Sequence, residues 1–152
     1  MKKLLIFLIT FIPWYLSSMI KIDPNYYNNL NLPFFTPPPI FFYICWTITY
    51  ISIAISIYLI VIDIKLKYIP KSYKLTLIIN YLFNQSFPLF FFLLKNTFLG
   101  FISSLIIFIS TIFLYQETSY LKEKSTKFLD LYVLLSLFTT ILSLTIYVLN
   151  TR

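Results

Sequence analysis

The sequence predicts an all-α membrane protein, a bundle of five transmembrane helices. Of its 152 residues 59% are hydrophobic and only 11% charged, where a soluble domain carries roughly a quarter charged residues. Mean hydropathy is +0.84, and the charges fall in short islands between long apolar runs. Together these exclude a soluble globular domain, a disordered tail and a disulfide scaffold. Residues 1–152 read as a single integral-membrane domain in contact with the lipid bilayer.

A helix needs about 20 mainly apolar residues to cross the hydrocarbon core. Charges and prolines delimit five such runs, approximately 4–20, 40–62, 75–94, 97–116 and 128–149. Their length and unbroken apolarity do not fit the short alternating strands of a membrane β-barrel. The first run carries Lys2 and Lys3 before it and Ser17 and Ser18 at its end, so a signal peptide is the alternative. It has no clear small-x-small cleavage site, and Pro13, Trp14 and Tyr15 interrupt it, which favours a kinked span. The connection at Lys95-Asn96 is so short that spans three and four must form an antiparallel pair. No internal repeat of the inverted-transporter kind is visible.

Lysines set the orientation. Lys2, Lys3, Lys65, Lys67, Lys71, Lys74, Lys122, Lys124 and Lys127 fall on one side of a five-span bundle; Lys21, Lys95 and Arg152 fall on the other. Nine against three predicts a bacterial-type cell-membrane protein with a cytoplasmic N-terminus and an external C-terminus. The net charge of +7 is thereby a topology signal; nucleic-acid binding would need a basic face on a folded surface. Cys45 is alone in an apolar run and reads as a small core residue, with an intermolecular bridge as the alternative. The absence of histidine removes His-ligated haem, His-containing zinc sites and His-based triads. Gly100 and Ala54 are the sole residues of their types, a skew of the kind a GC-poor genome imposes.

The connection 21–39, "KIDPNYYNNLNLPFFTPPP", is long and rich in proline and aromatics. Pro33, Pro37, Pro38 and Pro39 stiffen its second half and block a helix there. Such a segment suits an external lid over the bundle mouth, and equally an interfacial anchor, because tyrosines favour the headgroup region.

In spans two and three, Trp46 and Tyr50 share a helix face, as do Asn80, Asn84 and Phe87. An amide in hydrocarbon needs a partner, so Asn80, Asn84 and Gln85 should face protein or a cavity rather than lipid. A helix–helix hydrogen bond is one reading, and a polar group in a pocket the other. Small residues recur at four-residue spacing in Ser52/Ser56, Gly100/Ser104, Ser136/Thr140 and Thr139/Ser143. Such pairs let membrane helices approach closely, within one bundle or across a homodimer. Leu144, Tyr147 and Arg152 satisfy the loose sterol-contact pattern, a weak signal.

The stretch "YYNNLNLPFFTPPPIFFYICWTITY" resembles the opening signature of the TspO family, the translocator or tryptophan-rich sensory proteins. Tyr27, Leu30, Pro33, Pro37, Pro38, Phe42, Trp46, Thr47 and Tyr50 match it. Asn84, Phe91 and Phe92 match the family's span-three segment, with Phe87 where tryptophan is usual; Tyr132, Phe138, Leu142 and Asn150 match its C-terminal segment. Family tryptophans are replaced by Tyr26, Phe35, Ile40, Phe87 and Leu135, mostly keeping bulk and apolarity.

The resemblance implies a receptor- or translocator-like protein. It would bind porphyrins, with protoporphyrin IX as the expected ligand, or other planar hydrophobic molecules of sterol or benzodiazepine type. Its role would lie in tetrapyrrole transport or sensing, with no cofactor or metal required and a homodimer as the assembly. On this reading Asn84 lines a pocket with Trp46, Tyr50, Phe87 and Phe91. Leu135, Thr139 and Leu142 close it from span five, and Tyr27, Pro37 and Pro38 belong to its cover. The alternative the family allows is a porphyrin-degrading membrane enzyme. No catalytic residue is assigned, because no nucleophile motif or intramembrane acid pair is present. An ion-coupled transporter would normally carry a mid-span charge, and Asp63, Glu117 and Asp130 all fall at span boundaries. A purely structural subunit would leave the proline-aromatic segment unexplained.

Overall fold

The computed structural model describes residues 2–20, 23–64 and 66–151. Among them there are helices and no strands. The first apolar run is helix α1 (Lys2–Tyr15), continued by a 3-10 turn over Leu16–Met19. It is shorter than the other spans. Four helices are long and apolar enough to cross a membrane, and α1 is a fifth, shorter apolar helix. Pro13 lies inside it. Trp14 at its end is buried in the core, so this segment is built into the bundle.

A short helix α2 (Pro24–Asn28) follows; Pro24 fits the first helical position, and the Asp23 carboxylate caps it by accepting from the Asn25 N–H at 2.9 Å. Helix α3 (Pro39–Asp63) starts where the prolines end, and the Pro38 carbonyl accepts from the Phe41 and Phe42 amides. Ile40, Ile44, Ile48 and Ile51 on α3 are exposed, the stripe expected against lipid. Tyr50, Ile53, Ala54 and Ile57 turn inward.

Helix α4 (Lys71–Pro88) begins earlier than the apolar run suggested and passes at Pro88 into a π-helical turn, Leu89–Leu93. Pro88 has no N–H to offer the Asn84 carbonyl, and the helix loosens from that point. Leu94 N–H then reaches the Leu89 carbonyl at 2.8 Å, and Asn96 N–H the Phe90 carbonyl at 3.0 Å. Lys95 turns the chain in the left-handed region at φ 53°. Asn96 caps α5 (Thr97–Leu121), its side chain accepting from Leu99 N–H at 2.9 Å. A helical turn α6 (Glu123–Thr126) and a 3-10 turn lead into α7 (Asp130–Asn150).

Spans three and four pack as the expected hairpin, and α5 packs equally closely on α7. The small residues Gly100, Ser104, Ser136, Thr139, Thr140 and Ser143 are buried within the chain, as is Ser56. Thr140 Oγ1 donates across the interface to the Ser104 carbonyl at 2.9 Å. These stripes therefore serve the bundle itself, and a homodimer would have to use another face.

The two ends are distinct. At one, Lys122 pairs with Asp63 and also reaches the Leu59 carbonyl at 3.1 Å, while Ser72 donates to Glu117 at 2.9 Å. At the other, residues 23–39, the Lys95 turn and the end of α7 come together. That grouping is what five alternating spans require. Lys21, Lys65 and Arg152 of the charge pattern lie outside the described residues.

Candidate ligand-binding cavity

Phe42, Trp46 and Tyr50 lie four residues apart on α3 and form one aromatic wall. Trp46 packs on Tyr50 (centroids 5.5 Å apart) and edge-on against Tyr132 at 6.3 Å. The facing wall comes from α4 and its π turn. Phe87 stacks on Phe91 at 5.6 Å, and Phe91 meets Phe92 edge-on at 4.9 Å. Thr139, Leu142, Ser143 and Ile146 of α7 complete the sides. Between them is a cavity of about 440 Å³, within the ~300–1,000 Å³ typical of small-molecule sites.

Gly100 explains how Phe91 reaches this wall. A Cβ built there would lie 2.5 Å from Phe91 Cδ2 and 3.1 Å from Phe91 Cβ. The chain's single glycine thus sits where the π turn presses Phe91 against α5. The skewed composition has spared glycine at a point of close contact.

Residues 23–39 form the roof. Pro24, Tyr27, Thr36 and Pro37 face the cavity. Tyr26 packs on Phe91, Tyr27 on Phe92 and Phe35 on Phe138, with centroids 6.2–6.3 Å apart. Two polar ties hold the roof down. Lys95 Nζ meets Asp23 Oδ2 at 2.8 Å. Asn31 N–H donates to Asn150 Oδ1 at 2.9 Å, and Asn150 Nδ2 donates back to the Asn31 carbonyl at 3.1 Å. The Lys95 hydrogen bond holds the Asp23 carboxyl below its ordinary range; burial pushes the Tyr27 phenol up. These contacts place the segment over the cavity, while Phe34 points fully outward.

The floor is polar and buried. Tyr50 OH donates to Asn84 Oδ1 at 3.1 Å, and Asn84 Nδ2 to Tyr132 OH at 2.6 Å. Tyr132 OH donates to Asn80 Oδ1 at 2.7 Å. Asn80 Nδ2 donates to Ser110 Oγ at 2.8 Å, Thr111 Oγ1 at 3.0 Å and the Ile107 carbonyl at 3.3 Å. Ser17 Oγ lies 2.9 Å from Tyr50 OH. One chain of hydrogen bonds therefore ties the first segment, α3, α4, α7 and α5 together.

Of the residues the sequence singled out, Tyr27, Pro37, Trp46, Tyr50, Asn84, Phe87, Phe91, Thr139 and Leu142 line the cavity. Pro38 and Leu135 do not. Pro38 is the N-cap residue of α3, and Leu135 is buried on α7 between Tyr132 and Thr139. Asn84 is both the pocket amide and the helix–helix bond, the two readings left open. Asn80 is fully buried toward α5 and does not reach the cavity. Leu144 is exposed on α7, and Tyr147 packs on Phe98 and Phe101; Arg152 lies outside the described residues. Sequence reading missed Ser17, Thr36, Ser143 and Ile146 as lining residues. Ile146 was within reach of the three-to-four spacing from Leu142; Ser17 carried no signal.

Fold and cavity define an integral, multi-pass membrane protein with an aromatic internal site under a roofing connection. The TspO/MBR family model matches residues 4–149. The chain is 36% identical over 153 aligned residues, 99% of both chains, to the tryptophan-rich protein TspO of Bacillus cereus. It is 31% identical over 155, again 99% of each, to the uncharacterized membrane protein YtaB of Bacillus subtilis. The chain belongs to the TspO/MBR family.

Proposed function

We propose that this protein is a receptor- or translocator-like membrane protein that binds porphyrins or other planar hydrophobic ligands in the intramembrane cavity, in tetrapyrrole transport or sensing. Family membership supports the receptor- or translocator-like role. The observation that carries the ligand class is the opposed pair of aromatic walls, Phe42-Trp46-Tyr50 against Phe87-Phe91. Flat apolar molecules gain stacking area on both faces of such a slot, and the sparse polar floor fixes their orientation. The lysine distribution supports an orientation with the roof external in a bacterial-type cell membrane. It works as a homodimer.

The test is titration of the purified protein with protoporphyrin IX, alongside Trp46→Phe and Asn84→Leu. Affinity falls in at least one variant if the cavity is the site; equal affinity in all three refutes it. Illuminating the complex and following the porphyrin spectrum separates binding from turnover, with an unchanged spectrum expected.

A further inference from the structure

The hydrogen-bond chain beneath the cavity has only one self-consistent direction. The Ile107 carbonyl can accept but never donate, so the Asn80 group facing it is the NH₂. Ser110 and Thr111 agree, because their hydroxyl protons go to the Ile106 and Ile107 carbonyls at 2.7 Å and leave lone pairs toward Asn80. Asn80 then turns its oxygen to Tyr132, which must donate to it. Tyr132 is left with a lone pair for Asn84, so Asn84 presents NH₂ to Tyr132 and oxygen to Tyr50. Tyr50 must donate to that oxygen, and Ser17, whose other acceptor is the Trp14 carbonyl at 3.4 Å, donates to Tyr50 at the shorter distance of 2.9 Å. The amides also rule the chain out as a proton wire, since an amide nitrogen holds its protons.

The consequence reaches the cavity. Tyr50 has given its proton away and offers ligand only a lone pair. Thr47, Thr139 and Ser143, which also line the cavity, donate to the carbonyls of Tyr43, Leu135 and Thr139 at 2.7–2.9 Å. Their oxygens likewise retain acceptor capacity alone. Against these four oxygens the deep part of the cavity keeps one donor, the second amide hydrogen of Asn84; the donor-bearing side chains of Tyr27, Asn28 and Tyr43 line it toward the roof.

We infer that the deep end of the cavity is an acceptor site, selecting flat ligands that carry an N–H or O–H donor on their inner edge, and that Asn80 and Tyr132 are positioning residues that set this polarity without lining the cavity. The inference rests on the ligand class proposed above and adds the polarity of the ligand's deep edge.

Three tricyclic probes of nearly equal shape test it: carbazole (an N–H donor), fluorenone (a C=O acceptor) and fluorene (neither). Binding is measured by calorimetry on the full chain in nanodiscs, with empty nanodiscs subtracted. Carbazole should bind about fivefold tighter than fluorene, one net hydrogen bond, and fluorenone no tighter than fluorene. Fluorenone binding as well as carbazole overturns the inference while leaving the cavity intact. If none of the three binds, the ligand-site reading falls and this one with it.

Asn80→Leu removes the acceptor that holds the Tyr132 proton. Tyr132 can then donate to Asn84, the amide turns over, and the Tyr50 proton is released toward the cavity and Ser17 Oγ. The preference should shift at least fivefold toward fluorenone. Tyr132→Phe, which frees the Asn84 amide without reversing it, should bring the two probes to near equality. An unchanged preference in a folded variant would show that the relay does not set the polarity. The wild-type series decides the acceptor claim even where neither variant folds.

Discussion

The roof and the floor of the cavity are fastened in opposite ways. The roof is held by an exposed ion pair, Asp23–Lys95, and an exposed amide exchange, Asn31–Asn150. Water competes for every one of those groups, so each contributes little net stability. The floor is held by Tyr50, Asn84, Tyr132 and Asn80, all at most 5% exposed. No solvent can replace a partner lost there. A cavity built this way can open at its roof and cannot at its floor. On the proposed function, a ligand would enter past the 23–39 segment and be oriented by the buried relay.

Breaking the floor should give the largest effect. Asn80→Leu removes the Tyr132 acceptor and the Asn80 bonds to Ser110, Thr111 and the Ile107 carbonyl that link α4 to α5, and should cost about 2–3 kcal/mol, read by denaturant unfolding in detergent. A cost below that of the roof substitutions would erase the contrast. Gly100→Ala comes next. The added methyl must displace Phe91, with an overpacking cost of about 1–3 kcal/mol. It should also narrow the slot, lowering protoporphyrin IX affinity more than that of a small tricycle. Equal losses for both would mean that Phe91 does not set the cavity width.

Asn150→Ala removes both halves of the amide exchange at the roof. It should cost under about 1 kcal/mol while speeding ligand release several-fold in a stopped-flow displacement. The smallest effect belongs to Asp23→Asn, which should leave the thermal midpoint unchanged and raise the release rate slightly. The Asp23 carboxyl sits below its ordinary value of 3.8. The tie is therefore complete above that value and lost as pH falls through the depressed one. Release rates should be flat across the neutral range and rise only in strong acid.

The bundle was legible in the sequence because hydrocarbon imposes one rule on every spanning residue. Charges and prolines marked the ends of α3 and α5 to within a few residues. The first helix came out shorter than its apolar run, which continues as a 3-10 turn after Pro13. The π turn after Pro88 was not legible, because a proline announces a break and not the geometry that repairs it. Trp46, Tyr50 and Asn84 were visible as residues sharing helix faces; that the faces meet came from the family signature. Leu135 followed the right helical spacing yet is buried outside the cavity, since spacing fixes a face and not a depth. The roof ties join residues 72 and 119 positions apart through exposed side chains, a pairing no local pattern encodes. The small-residue stripes announced close helix contact without a partner, and the structure places those of α5 and α7 against each other.

The most direct test uses the two tryptophans. In Trp14→Phe, Trp46 becomes the sole indole, and its emission can be followed during protoporphyrin IX titration in bilayers, with and without brominated acyl chains. Porphyrin should quench Trp46 to saturation while the brominated lipids leave it nearly untouched, because its ring faces the cavity. Strong quenching by the acyl bromines, with none by porphyrin, would place Trp46 against lipid and contradict the account.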